Sequence, residues 1–237
     1  MRFWTGLASA GLLMLGAAAG CTTVPAVDPD DPGQVSGYLM VFWTGEDNFI
    51  YYPYYADPLV YRLPRALAKR VGYDTIRPGA MFTDGGSIPR AVRGWAGLSP
   101  WGYGPAYIVH DWLFIARHCN RTNQTDRFDK RDREEALKVE AVNFQLSADL
   151  LAAVIQALVA QHKVPARNFA PQAIYSAVES GFAGSLWDSD DPKGCKLPSE
   201  AVLKDIHDKL AAVGGRAFAM APGEKAGRAT LVYQQRF

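Results

Sequence analysis

The sequence predicts an α+β fold, with a small N-terminal antiparallel sheet region packed against a mainly helical C-terminal part. Three observations predict it. Short runs of Tyr, Phe, Trp and Val, broken by Pro and Gly, fill residues 36 to 82. From Gly102 onward, apolar residues recur at helical spacing. Helix start and stop signals bracket those later runs, with Pro105 in a first turn and Pro165 beyond a long periodic stretch.

In chain order, "YLMVFW", "NFIYY", "LVYRL" and "YDTIRPG" read as short strands joined by tight turns. Gly-Glu-Asp followed by Asn48 supplies a hairpin turn. "LPRALAKRVG" reads as a short helix or a polar excursion between strands. "GYGPAYIVHDWLFIARHC" reads as a central, buried helix begun near Pro105. "NRTNQTDRFD" is a polar connection. The stretch from Lys130 to Val164 is the strongest helix, with Ala136, Val139, Val142 and Leu146 near helical spacing and a bend or break expected near Ser147. "APQAIYSAVESGFAGSLW" is a third helical segment. In "PSEAVLKDIHDKLAAVGG", Ser199 can cap the start and Gly214 can end the helix.

The chain opens "MRFWTGLASAGLLMLGAAAGC", one positive side chain ahead of an apolar run and small residues. This is the pattern of a secretory signal peptide. Ala18-Ala19-Gly20-Cys21 resembles a bacterial lipoprotein cleavage box, which implies that Cys21 is acylated. The expected organisation is therefore a signal peptide over 1–20, a flexible tether over 21–35, one α+β domain over 36–215 and a C-terminal appendage over 216–237. "RATLVYQQRF" in that appendage can add a strand. Pro, Asp and Thr in "TTVPAVDPDDPG" cannot build a core, hence the tether. The implied location is the bacterial cell envelope, facing the periplasm in a Gram-negative cell, with the membrane as partner through the lipid anchor.

Of three cysteines, lipidation uses Cys21. Cys119 and Cys195 remain, and an oxidising compartment allows a bridge between them. Two buried thiols are the alternative. Lys plus Arg number 25 against 24 Asp plus Glu, without a basic stripe carrying interleaved aromatics. That argues against a nucleic-acid partner. About 215 residues after cleavage suffice for one domain with a core.

Two stretches carry candidate chemistry. "MFTDGGSIPR" holds Asp84, Gly85, Gly86, Ser87 and Arg90. Its glycines permit positive φ or close approach, Ser87 can cap a helical turn, and Asp84 can accept from loop amides. Such a corner is either a rigid joint or a presenter of Asp84 and amides to a ligand. "AYIVHDWLF" places His110 and Asp111 inside an apolar helix, where an unpaired charge is costly. Both groups should therefore be paired, metal-bound or facing a cleft. Adjacent helix residues point about 100° apart, so the two serve different neighbours. His110 shares a face with Phe114.

Together the two stretches resemble the DUF1353 family of bacterial and phage proteins. Phe82, Thr83, Asp84, Gly85, Ser87, Ile88, Pro89 and Arg90 match its first element. His110, Asp111, Trp112 and Leu113 match its second, with Phe114 at an aromatic position. The likeness runs over about 60–137, and the family name supplies no reaction.

A second likeness is to secreted phospholipases A2, in the order "TDGGS", "HDWLF", "DREEA". It implies His110 as general base, Asp132 orienting the imidazole and Asp111 as a calcium ligand. Carbonyls near Gly85 and Gly86 would complete the calcium shell. Trp112 replaces the cysteine that follows the His-Asp pair in those enzymes. Asp126 and Asp129 lie upstream of Asp132, and Asp129 reads as an N-cap.

The functional expectation is an envelope lipoprotein that is either a hydrolase with a His-Asp site, with calcium or without a cofactor, or a non-enzymatic binding or scaffolding protein. Envelope lipid, glycan or protein is the expected partner. "YYPYYADP" is a candidate aromatic binding surface. His118, His162 and His207 read as surface or helix-end residues.

Overall fold

Alternation along one strand sets the architecture. In the computed structural model, which describes residues 27–45, 49–83, 103–164, 175, 181–212 and 220–237, the strand β2 (Tyr38–Trp43) is buried on both faces. Leu39 and Val41 enter one apolar core, while Met40 and Phe42 enter another. A strand with period two can serve two layers only when something apolar covers each face. Here the larger core holds the central helices, and the smaller holds Ile206 and Leu210.

Two antiparallel sheets result. The smaller joins β1 (Gln34–Ser36), β4 (Val60–Arg62) and β5 (Thr75–Ile76) in the order β1-β4-β5. The larger has the order β6-β3-β2-β8-β7, with β3 (Phe49–Tyr51), β6 (Met81–Thr83), β7 (Lys225–Ala226) and β8 (Ala229–Arg236). Gly37 lies between β1 and β2, at φ 89°, and lets the chain pass from one sheet to the other. All four predicted strand segments are present, and "PRALAKRV" resolves as helix α1 (Arg65–Val71), closed by Gly72 in the left-handed region.

The C-terminal residues form the strand that "RATLVYQQRF" can add. The segment read as an appendage over 216–237 supplies β8, which sits between β2 and β7 inside the larger sheet. Ala229 and Leu231 are buried there. Eight residues of strand satisfy their backbone groups only by pairing, and the open side of β2 is the available ladder. The α+β class stands, while the larger sheet is completed by the last residues of the chain.

Helix α2 (Gly104–Arg121) begins with proline in its first turn, as predicted, and packs on α4 (Phe144–Ala160). The long run from Lys130 divides into α3 (Lys130–Lys138), a 3₁₀ turn (Val139–Ala141) and α4, bent by 115°. The break falls at Asn143, earlier than the expected Ser147. Asn143 accepts from the Leu146 amide and caps α4, and a capped N-terminus starts a new helix. Ala136, Val139, Val142 and Leu146 remain buried on both sides of the bend. Helices α5 (Gly181–Trp187) and α6 (Glu200–Ala212) follow.

Cys119 and Cys195 form a disulfide, tying α2 to the 3₁₀ turn Pro192–Gly194. His118 is buried beside that turn and not at the surface, because Gly194 leaves room for its ring; a Cβ at Gly194 would come within 2.5 Å of Nδ1.

Candidate functional site

Strand β6 ends at Thr83, which lies beside α2. Asp84, Gly85, Gly86, Ser87 and Arg90 lie outside the described residues, as does Cys21. The Asn48 turn and Gly214 lie outside them too. What the structure describes is the second motif and its surroundings.

The Thr83 hydroxyl donates to Asp111 Oδ2 at 2.6 Å. This bond joins the last residue of β6 to the middle of α2. A short bond from a hydroxyl to a carboxylate is a strong one. Asp111 is thus committed at least in part to holding strand against helix.

His110 points elsewhere, as the helical step requires. Its ring is tilted against Phe114 at 4.9 Å, and Phe114 meets Trp187 of α5 edge-on at 4.9 Å. The residue as a whole is partly exposed, but Nε2 is sealed from solvent and has no hydrogen-bond partner among the described residues. Burial pushes the imidazole down to about 4, so it is neutral near pH 7. One turn earlier, the Tyr107 hydroxyl is likewise buried and without a partner. Burial, with the neighbouring Tyr103 and Asp111, pushes that phenol up.

The folded imidazole is weaker than the free one, so the sign follows directly. Stability from a neutral His110 is fully present above its ordinary value of 6.5 and falls as pH drops from there toward about 4. Since Nε2 makes no bond, an apolar replacement removes an unsatisfied buried group. Urea unfolding of His110→Leu at about pH 7 is expected to give wild-type stability or better, within about 1 kcal/mol. A loss of about 3 kcal/mol would show a bond that this geometry lacks.

Asp132 does not serve His110. It is 4% exposed, and its Oδ2 accepts from the Ala80 amide at 3.0 Å and the Tyr55 hydroxyl at 3.2 Å. Gly79 lies flat against the carboxyl; a Cβ there would fall 2.6 Å from Oδ2. Burial and then the charge of Asp129 push Asp132 up to about 6. Among the described residues no carboxylate is hydrogen-bonded to His110, so the arrangement expected from the phospholipase likeness, imidazole on Asp132, is not formed. The physical reason is the local order of α3. Asp132 is its third residue, and Asp129 caps it by accepting from the Asp132 amide at 2.8 Å, as read from the sequence. From that position the Asp132 side chain faces Gly79 and Ala80.

Nothing matches this chain among family models, curated proteins or solved structures.

The remaining charges near α3 are structural. Arg133 donates to the Thr125, Asp126 and Phe128 carbonyls, and Arg131 stacks over Tyr55 at 4.8 Å. Among the described residues no group of three or more His, Cys, Asp or Glu side chains could hold a metal ion. Asp111 is the one predicted calcium ligand among them, and Thr83 donates to its carboxylate. Sequence reasoning passed over Tyr107, and it read Tyr55 only as part of the "YYPYYADP" surface, not as a neighbour of Asp132. Tyr107 stands three residues before His110 on the same helix face, which is a legible signal. Tyr55 is far from Asp132 in sequence and carries no such signal.

Proposed function

We propose that this chain is an envelope lipoprotein, anchored through Cys21, whose folded part binds or scaffolds another envelope component and does not hydrolyse it. One observation carries the reading: among the described residues no carboxylate is hydrogen-bonded to His110 Nε2, while Asp132 is spent on Ala80 and Tyr55. A general base needs a nitrogen within reach of the proton it takes and a basicity near the working pH. A sealed Nε2 on an imidazole held near 4 is poor in both respects.

A binding role draws support from the "YYPYYADP" surface. Tyr51 and Tyr52 are buried in the cores, but Tyr54 and Tyr55 stay partly exposed. Tyr38 meets Tyr54 edge-on at 5.5 Å, and Arg236 lies over Tyr38 at 5.8 Å. Half-exposed tyrosines beside arginines suit a protein or glycan partner.

The test is a hydrolysis screen over ester, amide and glycoside substrates, with and without calcium. Wild type, His110→Ala and Asp111→Ala are compared. The expected result is no turnover that depends on either side chain. An activity abolished in both variants, with the fold retained by circular dichroism, would instead establish the hydrolase.

A further inference from the structure

The Tyr55 hydroxyl stands between two carboxylates. It lies 3.2 Å from Asp129 Oδ2 and 3.2 Å from Asp132 Oδ2. A phenol has one proton and donates to one carboxylate at a time. The other carboxylate then faces an oxygen lone pair. The remaining donors are already committed. The Asp132 amide serves Asp129 Oδ1 at 2.8 Å, and the Ala80 amide serves Asp132 Oδ2 at 3.0 Å.

Three segments meet at this point: the tyrosine-rich connection between β3 and β4, the connection between β5 and β6, and the first turn of α3. The charged and titratable groups around Asp132 are Asp129, Arg77, Tyr55, Tyr52 and Tyr51. Arg77 favours the charged form of Asp132 through space, but burial and Asp129 outweigh it, and its ion-pair partner is Glu135 at 3.5 Å. Arg131 is stacked on the Tyr55 ring, which leaves it on the solvent side of the cluster.

We propose that Tyr55, Asp129 and Asp132 form a proton-operated clasp, in which a proton taken from solvent by the Asp132 carboxyl supplies the missing donor and fastens the tyrosine-rich connection to α3. The only bond made is O–H, and the proton comes from water. With both carboxylates charged, repulsion across Tyr55 loosens the contact. With one protonated, the phenol and both carboxyls are satisfied together. Asp132 is the carboxyl that takes the proton, because it is the buried one of the two. The clasp stands independently of the binding role and would set how firmly the Tyr54–Tyr55 surface is presented as the medium acidifies.

The sign is worked from the shift. Burial and Asp129 raise Asp132 from 3.8 to about 6 in the folded protein. Protonation therefore favours the folded, clasped state. Its contribution appears as pH falls through about 6 and is complete below the ordinary 3.8. His110 opposes this over the same range, so wild type must be compared with a variant that changes Asp132 alone.

Two measurements test the clasp. In the full chain, the Ala80 amide reports on Asp132 through its hydrogen bond, and its NMR shift is expected to titrate with a midpoint near 6. Tyr55→Phe removes the hydroxyl to which the protonated carboxyl donates and, if the clasp holds, should move that midpoint down. Asp129→Asn removes a like charge while keeping a capping side chain, and should move it down. By chemical unfolding, going from about pH 7 to about pH 4.5 should lower the wild-type unfolding constant about 25-fold relative to Asp132→Asn. A midpoint near 4, or one unmoved or raised by Tyr55→Phe, would overturn the clasp. So would parallel pH profiles for wild type and Asp132→Asn.

Discussion

Reducing the Cys119–Cys195 bridge is expected to lower the free energy of unfolding by about 4 kcal/mol, the largest loss from any single bond in this chain. The partners are 76 residues apart, and closing a loop of that length removes much of the entropy of the unfolded chain. The bridge is also well seated, with Cys119 fully buried and Cys195 4% exposed. Around it, Arg127 donates to the Cys195 carbonyl at 3.2 Å, and Gln124 donates to the Pro192 carbonyl at 3.0 Å. These bonds keep the Pro192–Gly194 turn near α2 once the sulfurs part, so the native fold survives reduction with a lower midpoint. Urea unfolding with and without reductant, beside the double variant Cys119→Ala with Cys195→Ala, measures the loss. A change below about 1 kcal/mol would mean that the denatured chain is already compact across this loop.

Gly37→Ala is expected to cost about 3 kcal/mol or more, from two causes that a control can separate. Gly37 has φ 89°, where a side chain is strained. Its missing Cβ also admits the chain opposite: an added Cβ would stand 1.9 Å from the Pro58 carbonyl oxygen and 2.5 Å from its carbon. Both are backbone atoms, so no rotamer change relieves the contact. The backbone would have to part where Tyr38 donates to the Asp57 carbonyl at 2.9 Å and Phe237 donates to the Gly37 carbonyl at 2.9 Å. Gly72 is the control, with φ 82° and nothing within 4 Å of its Cβ position. Gly72→Ala should lose about 1 kcal/mol from strain alone. Equal losses at Gly37 and Gly72 would sink the steric argument.

Much of the fold was legible because local patterns state local structure. The aromatic and β-branched runs became β2, β3, β4 and β5, and Pro105 marked the first turn of α2. The apolar spacing of Ala136, Val139, Val142 and Leu146 located buried positions even though the helix broke between them. The break itself was misplaced toward Ser147 because the capping role of Asn143 carries less weight in a periodic run than the periodicity does. Strand β8 was underrated for a different reason. A polar-ended segment such as "RATLVYQQRF" becomes a sheet strand only when a ladder is open beside it, and that ladder is β2, nearly two hundred residues earlier.

The candidate site was legible as residue types and misleading as a constellation. His110 and Asp111 do face different neighbours, as a helical step of about 100° requires. The order Asp-Gly-Gly-Ser, His-Asp, Asp-Arg suggested that Asp132 would reach His110. Sequence order carries no information on which way a first-turn carboxylate swings, and this one meets Ala80 and Tyr55, residues distant in sequence.

The sequence by itself determined the α+β class, the start of α2, the residues of the buried helical faces and the separate directions of His110 and Asp111. All of these follow from spacing along one segment, through the periods of helix and strand. Only the tertiary structure decided that Cys119 meets Cys195, that the chain end completes the larger sheet and that Asp132 answers to Tyr55. Each of those joins groups distant in sequence, and which distant groups meet depends on how the cores pack.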